Sequence, residues 1–413
     1  MPAPDVTSKN PEISRVLNEL DADLIAADTL RLVKEASPTL HEEGASKLYC
    51  NILKEYGLEA SLHYVQPNRP NVIGRITGNG TGPSLLIGGH VDTIPEKGCT
   101  TPRIEAGRVY GRGADDMKGS LISMAAAARA LKRSGLKLKG DLVLAAWVDH
   151  EDPDGHGLGP QKVACMIKAG ELKVDGVIIT EGPFDSISIA QGGCLGFEIH
   201  ISGRKGAPHT LSSNLSSNPI LWGSMAVDEL YKMDKELESK KWHPLIAQRR
   251  QLQIGIFQAG DFYNRLPEDV KIVGTLRWDP GENFEDAGKR LRDRLSELEE
   301  RIRSNLDPEI EMRVDLQLHR ESSEISSEGK LVQAAQRAAS EIFGHTLPLI
   351  GNRAVADQPF FLHQGGVPAL YYGSSTKDDA TAHSNNESIS INRLATMAQM
   401  YAAAALFFCG YDG

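Results

Sequence analysis

The sequence predicts an α/β protein whose main domain is discontinuous, with a mostly parallel sheet between helices and a smaller α+β domain inserted into it. Three observations carry this. Nearly unbroken apolar runs recur outside the middle of the chain, helical stretches alternate with them, and the middle follows a strict two-residue alternation. A strand covered on both faces reads as a continuous apolar run, whereas a strand with one solvated face alternates.

The elements follow in order. SLLIGG (84–89), LVLAAWV (142–148), GVIIT (176–180) and PALYYG (368–373) read as buried strands. SLISMAAAARALKR (120–133), GKLVQAAQRAASEIF (329–343) and the closing NRLATMAQMYAAAALFF (392–408) read as helices. In the middle, Leu195, Phe197, Ile199 and Ile201 share one strand face. Leu252, Ile254 and Ile256 do the same, as do Val270, Ile272, Leu276 and Trp278, and then Ile310, Met312, Val314, Leu316 and Leu318. Two amphipathic helices lie between these strands, one over about 217–238 and one carrying Phe284, Ala287, Leu291, Leu295, Leu298 and Ile302. The order β-α-β-β-α-β is the split βαβ pattern of a ferredoxin-like sandwich. Residues 1–191 and 319–413 then form the discontinuous domain, and 192–318 the insertion.

Composition narrows the function. A chain of 413 residues is long enough for two domains, each with its own core. A formal charge of −10 argues against a nucleic-acid partner, because phosphate binding needs a basic face. Five scattered cysteines without CxxC spacing suit the reduced thiols of a cytoplasm. MPAPDVTSKNPEIS has no signal-peptide core, and the apolar run MYAAAALFF (400–408) is too short to span a bilayer. The expectation is a cytoplasmic protein with no membrane partner.

Polar motifs cluster at the strand ends, where α/β proteins keep their chemistry. GGHVDTIP (88–95) offers His90 and Asp92, a carboxylate two residues on that suits orienting a metal-bound imidazole. GRGADDMKG (111–119) opens a helix and offers Asp115 and Asp116; VDHEDPDG (148–155) offers Glu151, IITEGP (178–183) Glu181, and TAHSNNES (381–388) His383. Singly, each reads as a solvated strand end, helix start or loop. In this order, two histidines and three carboxylates suit one or two divalent ions such as manganese, zinc or cobalt.

Taken together, these motifs resemble the ordered signature of the M20 metallopeptidase family over essentially the whole chain. The resemblance implies a catalytic domain with an inserted lid and dimerisation domain, and a homodimer or higher homo-oligomer through that lid. It implies one ion on His90, Asp116 and Glu181 and a second on Asp116, Glu151 and His383, with Asp116 bridging and Asp92 orienting His90. In the lid, GRKGAPH implies that His209 reaches a neighbouring subunit's active site. Asn264 in GDFYNRLP and Arg277 in GTLRW imply substrate binding, with Arg277 on a carboxylate, which a planar guanidinium suits.

One position departs from the family. Its motif here is D-E-E, where the first glutamate takes a proton from the attacking water and passes it to the leaving amine. On VDHED, His150 stands in that place. A register slip making Glu151 the base and Asp152 the ligand would restore an acidic pair but displaces Asp149. Neutral imidazole is basic enough near neutral pH, yet cations nearby disfavour its protonated form; the ring could also position the substrate or bind metal itself. Three functions stay open. The expectation leans to hydrolysis of an unusual C–N bond in a small carboxylate-bearing substrate, such as deamination of an activated aromatic amine, as in the outlying nitroanthranilate aminohydrolases; the alternatives are ordinary amide or peptide hydrolysis and a non-catalytic metal-binding or scaffold protein.

Overall fold

The computed structural model describes residues 10–151, 156–203, 205–206, 209–212, 214–239, 243–246, 252–352, 354 and 356–412. They fall into two compact units. The larger comprises described residues within Met1–Ile189, Glu324–Asn352 and Ala356–Gly413, the smaller those within Ala190–Ser323 together with Ala354.

The larger unit is built on a mixed sheet. Its strands lie in the spatial order Glu59–Gln66, Arg69–Ile76, Leu142–Trp147, Leu85–His90, Gly176–Ile179, Ala369–Tyr371 and Ile187–Gln191. The four central strands are parallel, with Leu85 opposite both Leu142 and Gly176, and Ala369 opposite Val177. The flanking strands pair antiparallel. Parallel neighbours put His90, Trp147 and Ile179 at one edge of the sheet, so the loops that follow them open together.

Both faces are covered, which is why the central strands are continuously apolar. On one side Leu86, Val143, Ala145, Trp147, Val177 and Ile179 pack with Val163, Ala164 and Phe361. Trp147 is fully buried with its ring 5.4 Å from that of Phe361; burial of such a side chain stabilises by roughly 1.5–3 kcal/mol. Helix Ile391–Cys409 starts at Ser390, whose Oγ accepts from the Arg393 N–H, and packs against helices Gly119–Ser134 and Lys330–Phe343. Three N-terminal helices and the hairpin 59–76 complete the unit. Among the described residues no helix is long and apolar enough to cross a membrane.

The smaller unit is a ferredoxin-like sandwich. Its antiparallel strands run in the order Leu252–Ala259, Asp269–Trp278, Gly193–Ser202, Glu311–Arg320. Helices Pro219–Glu238 and Phe284–Asn305 cover one face, burying Leu195, Phe197, Ile199, Ile201, Trp222, Leu291 and Leu295 in one core. Two residues expected on the apolar face are not covered. The ladder slips between Ile254 and Ile256, which leaves Ile256 44% exposed and turns Phe257 toward Gly223 on the first helix. Leu318, on the edge strand, is also exposed.

Candidate metal centre

Loops at the carboxyl edge of the parallel strands bring the polar residues of the larger unit together. His90 ends its strand, His150 and Glu151 follow Leu142–Trp147, and Glu181 follows Gly176–Ile179. His383 comes from the loop ahead of strand Ser388–Ser390. Asp116 lies in the tight turn Ala114–Lys118, just ahead of the helix that starts at Gly119. Glu387 braces the turn, its Oε1 accepting the main-chain N–H groups of Asp115 (3.1 Å) and Asp116 (3.0 Å). Glu387 is fully buried, with Arg112 on its other oxygen at 2.5 Å.

Asp116 faces two imidazoles, with Oδ1 3.1 Å from His90 Nε2 and Oδ2 3.3 Å from His383 Nε2. His383 Nε2 also lies 3.0 Å from Glu151 Oε1. Donor atoms of His90, Asp116 and Glu151 all lie within 4.8 Å of one another, and so do those of His90, His150 and Glu181. Asp115 is turned away and accepts from Thr381.

Asp92 acts differently from the sequence expectation. His90 Nδ1 is 2.9 Å from the Asp92 main-chain carbonyl, whereas the nearer carboxylate oxygen is 3.7 Å away. That carboxylate instead accepts the main-chain N–H groups of His150 (3.0 Å) and Glu151 (2.9 Å) and the Thr39 hydroxyl (2.9 Å). The main chain orients the first histidine, and the side chain holds the loop that carries the second.

His150 stacks on His90, with ring centroids 4.2 Å apart and planes within 6°. Its Nδ1 is 2.8 Å from Oδ2 of Asp357, and its Nε2 is 3.6 Å from Glu181 Oε2. Asp149 does not enter the cluster; Arg69 holds it at 2.6 Å and Glu42 at 2.5 Å. Asp152, the other possible ligand in that loop, lies outside the described residues. Asp357 and Glu387 were given no role by the sequence reading, though Glu387 sits inside TAHSNNES.

The carboxylates draw protons onto the imidazoles. Burial and the neighbouring His150 lower the proton affinity of His90, but Asp116 and Asp92 outweigh them and push its pKa up to about 9. Hydrogen bonds to Asp116 and Glu151 carry His383 to about 10. Burial opposes charge on His150 too, yet Asp357 and Glu181 hold it well above the ordinary histidine range. Burial raises Glu181, whose Oε2 is buried without a hydrogen-bond partner among the described residues. A divalent cation suits this donor set: it would satisfy that oxygen and take the protons' place between imidazoles and carboxylates.

Residues of the smaller unit form a group of their own. The Asn264 amide lies 2.9 Å from His209 Nε2 and accepts from the Thr210 hydroxyl at 2.6 Å. Arg277 is opposite Cys194 in the sheet and half-buried. Parts of GRKGAPH lie outside the described residues.

Residues 86–406 match the sequence model of Peptidase family M20/M25/M40. The chain belongs to this family. As an M20 protein it is a metal-dependent hydrolase acting on C–N bonds, and takes one or two divalent metal ions. It is 25% identical over 384 residues to a succinyl-diaminopimelate desuccinylase of Alkalilimnicola ehrlichii, covering 90% of this chain and 95% of the relative. A desuccinylase of Legionella pneumophila is 27% identical over 332 residues, with 78% and 82% covered. Among solved structures, an aminopeptidase from Bacillus cereus aligns at a TM-score of 0.74 and 17% identity, over 94% of this chain and 99% of its own. A dinuclear metal-binding M20 peptidase from Bacillus subtilis aligns at 0.69 and 18%, over 94% and 98%. These two likenesses bear on the fold, including the inserted domain.

Proposed function

We propose that this M20 hydrolase splits a C–N bond in a small carboxylate-bearing substrate, with His150 as the proton carrier. His90, Asp116 and Glu181 would hold one ion and Asp116, Glu151 and His383 a second, with Asp116 bridging; manganese, zinc and cobalt suit these donors. A divalent ion there supplies an acidified water and polarises the bond under attack. Arg277 would recognise the substrate carboxylate, and His209 and Asn264 would serve a neighbouring subunit's active site, as the family resemblance implies.

The stacking of His150 on His90 carries the proposal. Two imidazoles that share an ion must both point at it in their own ring planes. Rings stacked 4.2 Å apart and nearly parallel cannot do so, because an ion in the plane of one lies far outside the roughly 2.1 Å bonding distance in the plane of the other. The stacking thus sets His150 apart from the ion that His90 would hold, and we read it as the proton carrier. Its Nε2 takes a proton from the attacking water as the carbon–oxygen bond forms, then hands it to the leaving nitrogen as the C–N bond breaks. Cations nearby repel a protonated His150, and Asp357 on Nδ1 offsets that repulsion.

The relatives named as desuccinylases and the aminopeptidase neighbour favour an amide bond in an N-acyl amino acid or short peptide. A second reading rests on the imidazole itself, which stands where the family pattern has glutamate: hydrolytic deamination of an electron-poor aromatic amine, whose leaving group needs less help. Mass analysis of products separates the two. Metal-loaded protein would meet N-succinyl amino acids, dipeptides and nitro-substituted aminobenzoates. Two fragments carrying the elements of water support amide hydrolysis, and ammonia with a ring hydroxyl supports deamination. Turnover of none, with full metal content, would sink both.

We also propose a reducing compartment, in keeping with five free cysteines, and self-association through the inserted domain. Its edge strand Leu252–Ala259 leaves Ile256 and Phe257 partly exposed.

A further inference from the structure

We infer that Asp357 is a positioning residue: it fixes His150 as the Nδ1–H tautomer and sets the plane of its ring, so that the Nε2 lone pair faces the metal cluster. This rests on the reading of His150 as proton carrier. Oδ2 of Asp357 is 2.8 Å from both Trp147 Nε1 and His150 Nδ1. An indole N–H only donates, so this oxygen is an acceptor, and a carboxylate oxygen facing a ring nitrogen at that distance calls for an N–H there. With Nδ1 carrying the hydrogen, neutral His150 has its lone pair on Nε2.

The support is rigid. Trp147 and Asp357 are fully buried, and Trp147 is locked in the central sheet against Phe361. His90 closes one face of the His150 ring, and the Asp92 carboxylate holds the main-chain N–H of the same residue. Asp357 thus fixes the ring's rotation, His90 its face and Asp92 its backbone. The arrangement favours a donor over a carboxylate here: a glutamate at position 150 would set a second carboxylate against Asp357, and the two would repel.

The test uses zinc-loaded protein. 15N-histidine spectra read the tautomer, with the His150 signals assigned by their loss in H150Q. The wild type should show Nδ1 protonated, and D357N should gain the Nε2–H form. An unprotonated Nδ1 in the wild type overturns the inference. In turnover of whichever substrate the product screen identifies, D357N should lower kcat about 10–100-fold with KM and zinc content unchanged. In the H150E background the same change should cost nothing or help, because a repulsion is removed. Equal losses in both backgrounds would make Asp357 a merely structural residue and overturn the inference. Full turnover by H150Q would instead sink the proton-carrier reading, while the spectrum would still decide what Asp357 does.

Discussion

Asp116 lies between two imidazoles that hold protons in the metal-free protein, and an incoming ion has to displace them. With His90 pushed up to about 9 and His383 to about 10, both rings are charged at pH 7, whereas the proposed ligation needs them neutral. The sign follows: protons compete most below these values, so metal affinity rises as pH climbs from 6 toward 9, and loading at pH 7 releases protons. Calorimetric titration in two buffers of different ionisation enthalpy should give different heats; identical heats would refute this. Glu387 supports a second residue-scale prediction. Glu387→Gln leaves Arg112 uncompensated in the interior and should cost about 3–5 kcal/mol. Denaturant unfolding of the metal-free protein measures it, and a loss under about 1 kcal/mol would contradict the role assigned. His90, Asp116, Glu151 and Glu181 were legible because each stands at the end of a readable strand or ahead of a readable helix. Asp357 was not, since its partner His150 is 207 residues away and ADQ has no pattern of its own.

At the scale of elements, strand Leu85–His90 leaves no room for a side chain at Gly88. A methyl group on Gly88 would meet the Trp147 ring at 2.5 Å and the Ala145 main-chain oxygen at 2.6 Å. The oxygen cannot yield within the sheet, so Gly88→Ala should destabilise by about 1–3 kcal/mol. It should also disturb Trp147, the second donor to Asp357. Thermal unfolding together with the near-ultraviolet tryptophan signal checks this; an unchanged signal with an unchanged midpoint would show that the strand accommodates the methyl. The buried strands were readable for the same reason that Gly88 is constrained, because both faces are packed. In the inserted domain, alternation located the sandwich but could not reveal the slip after Ile254, since a one-residue bulge leaves the composition unchanged. Strand Glu59–Gln66 escaped notice because EASLHYVQ carries few apolar residues and only a loosely alternating burial.

For the whole molecule, the proposed association through the inserted domain predicts a sedimenting species of at least two chains, and Ile256→Lys should shift it toward the monomer. A monomer at micromolar concentration in the unaltered protein would end that proposal. The seven polar residues gathered at the metal centre all belong to the larger unit, although 134 positions of chain, Ala190–Ser323, interrupt it. The interruption is narrow at its root, for the Ile325 N–H donates to the Ile189 carbonyl at 3.0 Å. Two ends this close could be joined by a short loop at little entropic cost. An ancestral gene could therefore have gained, lost or exchanged the insertion as a single cassette.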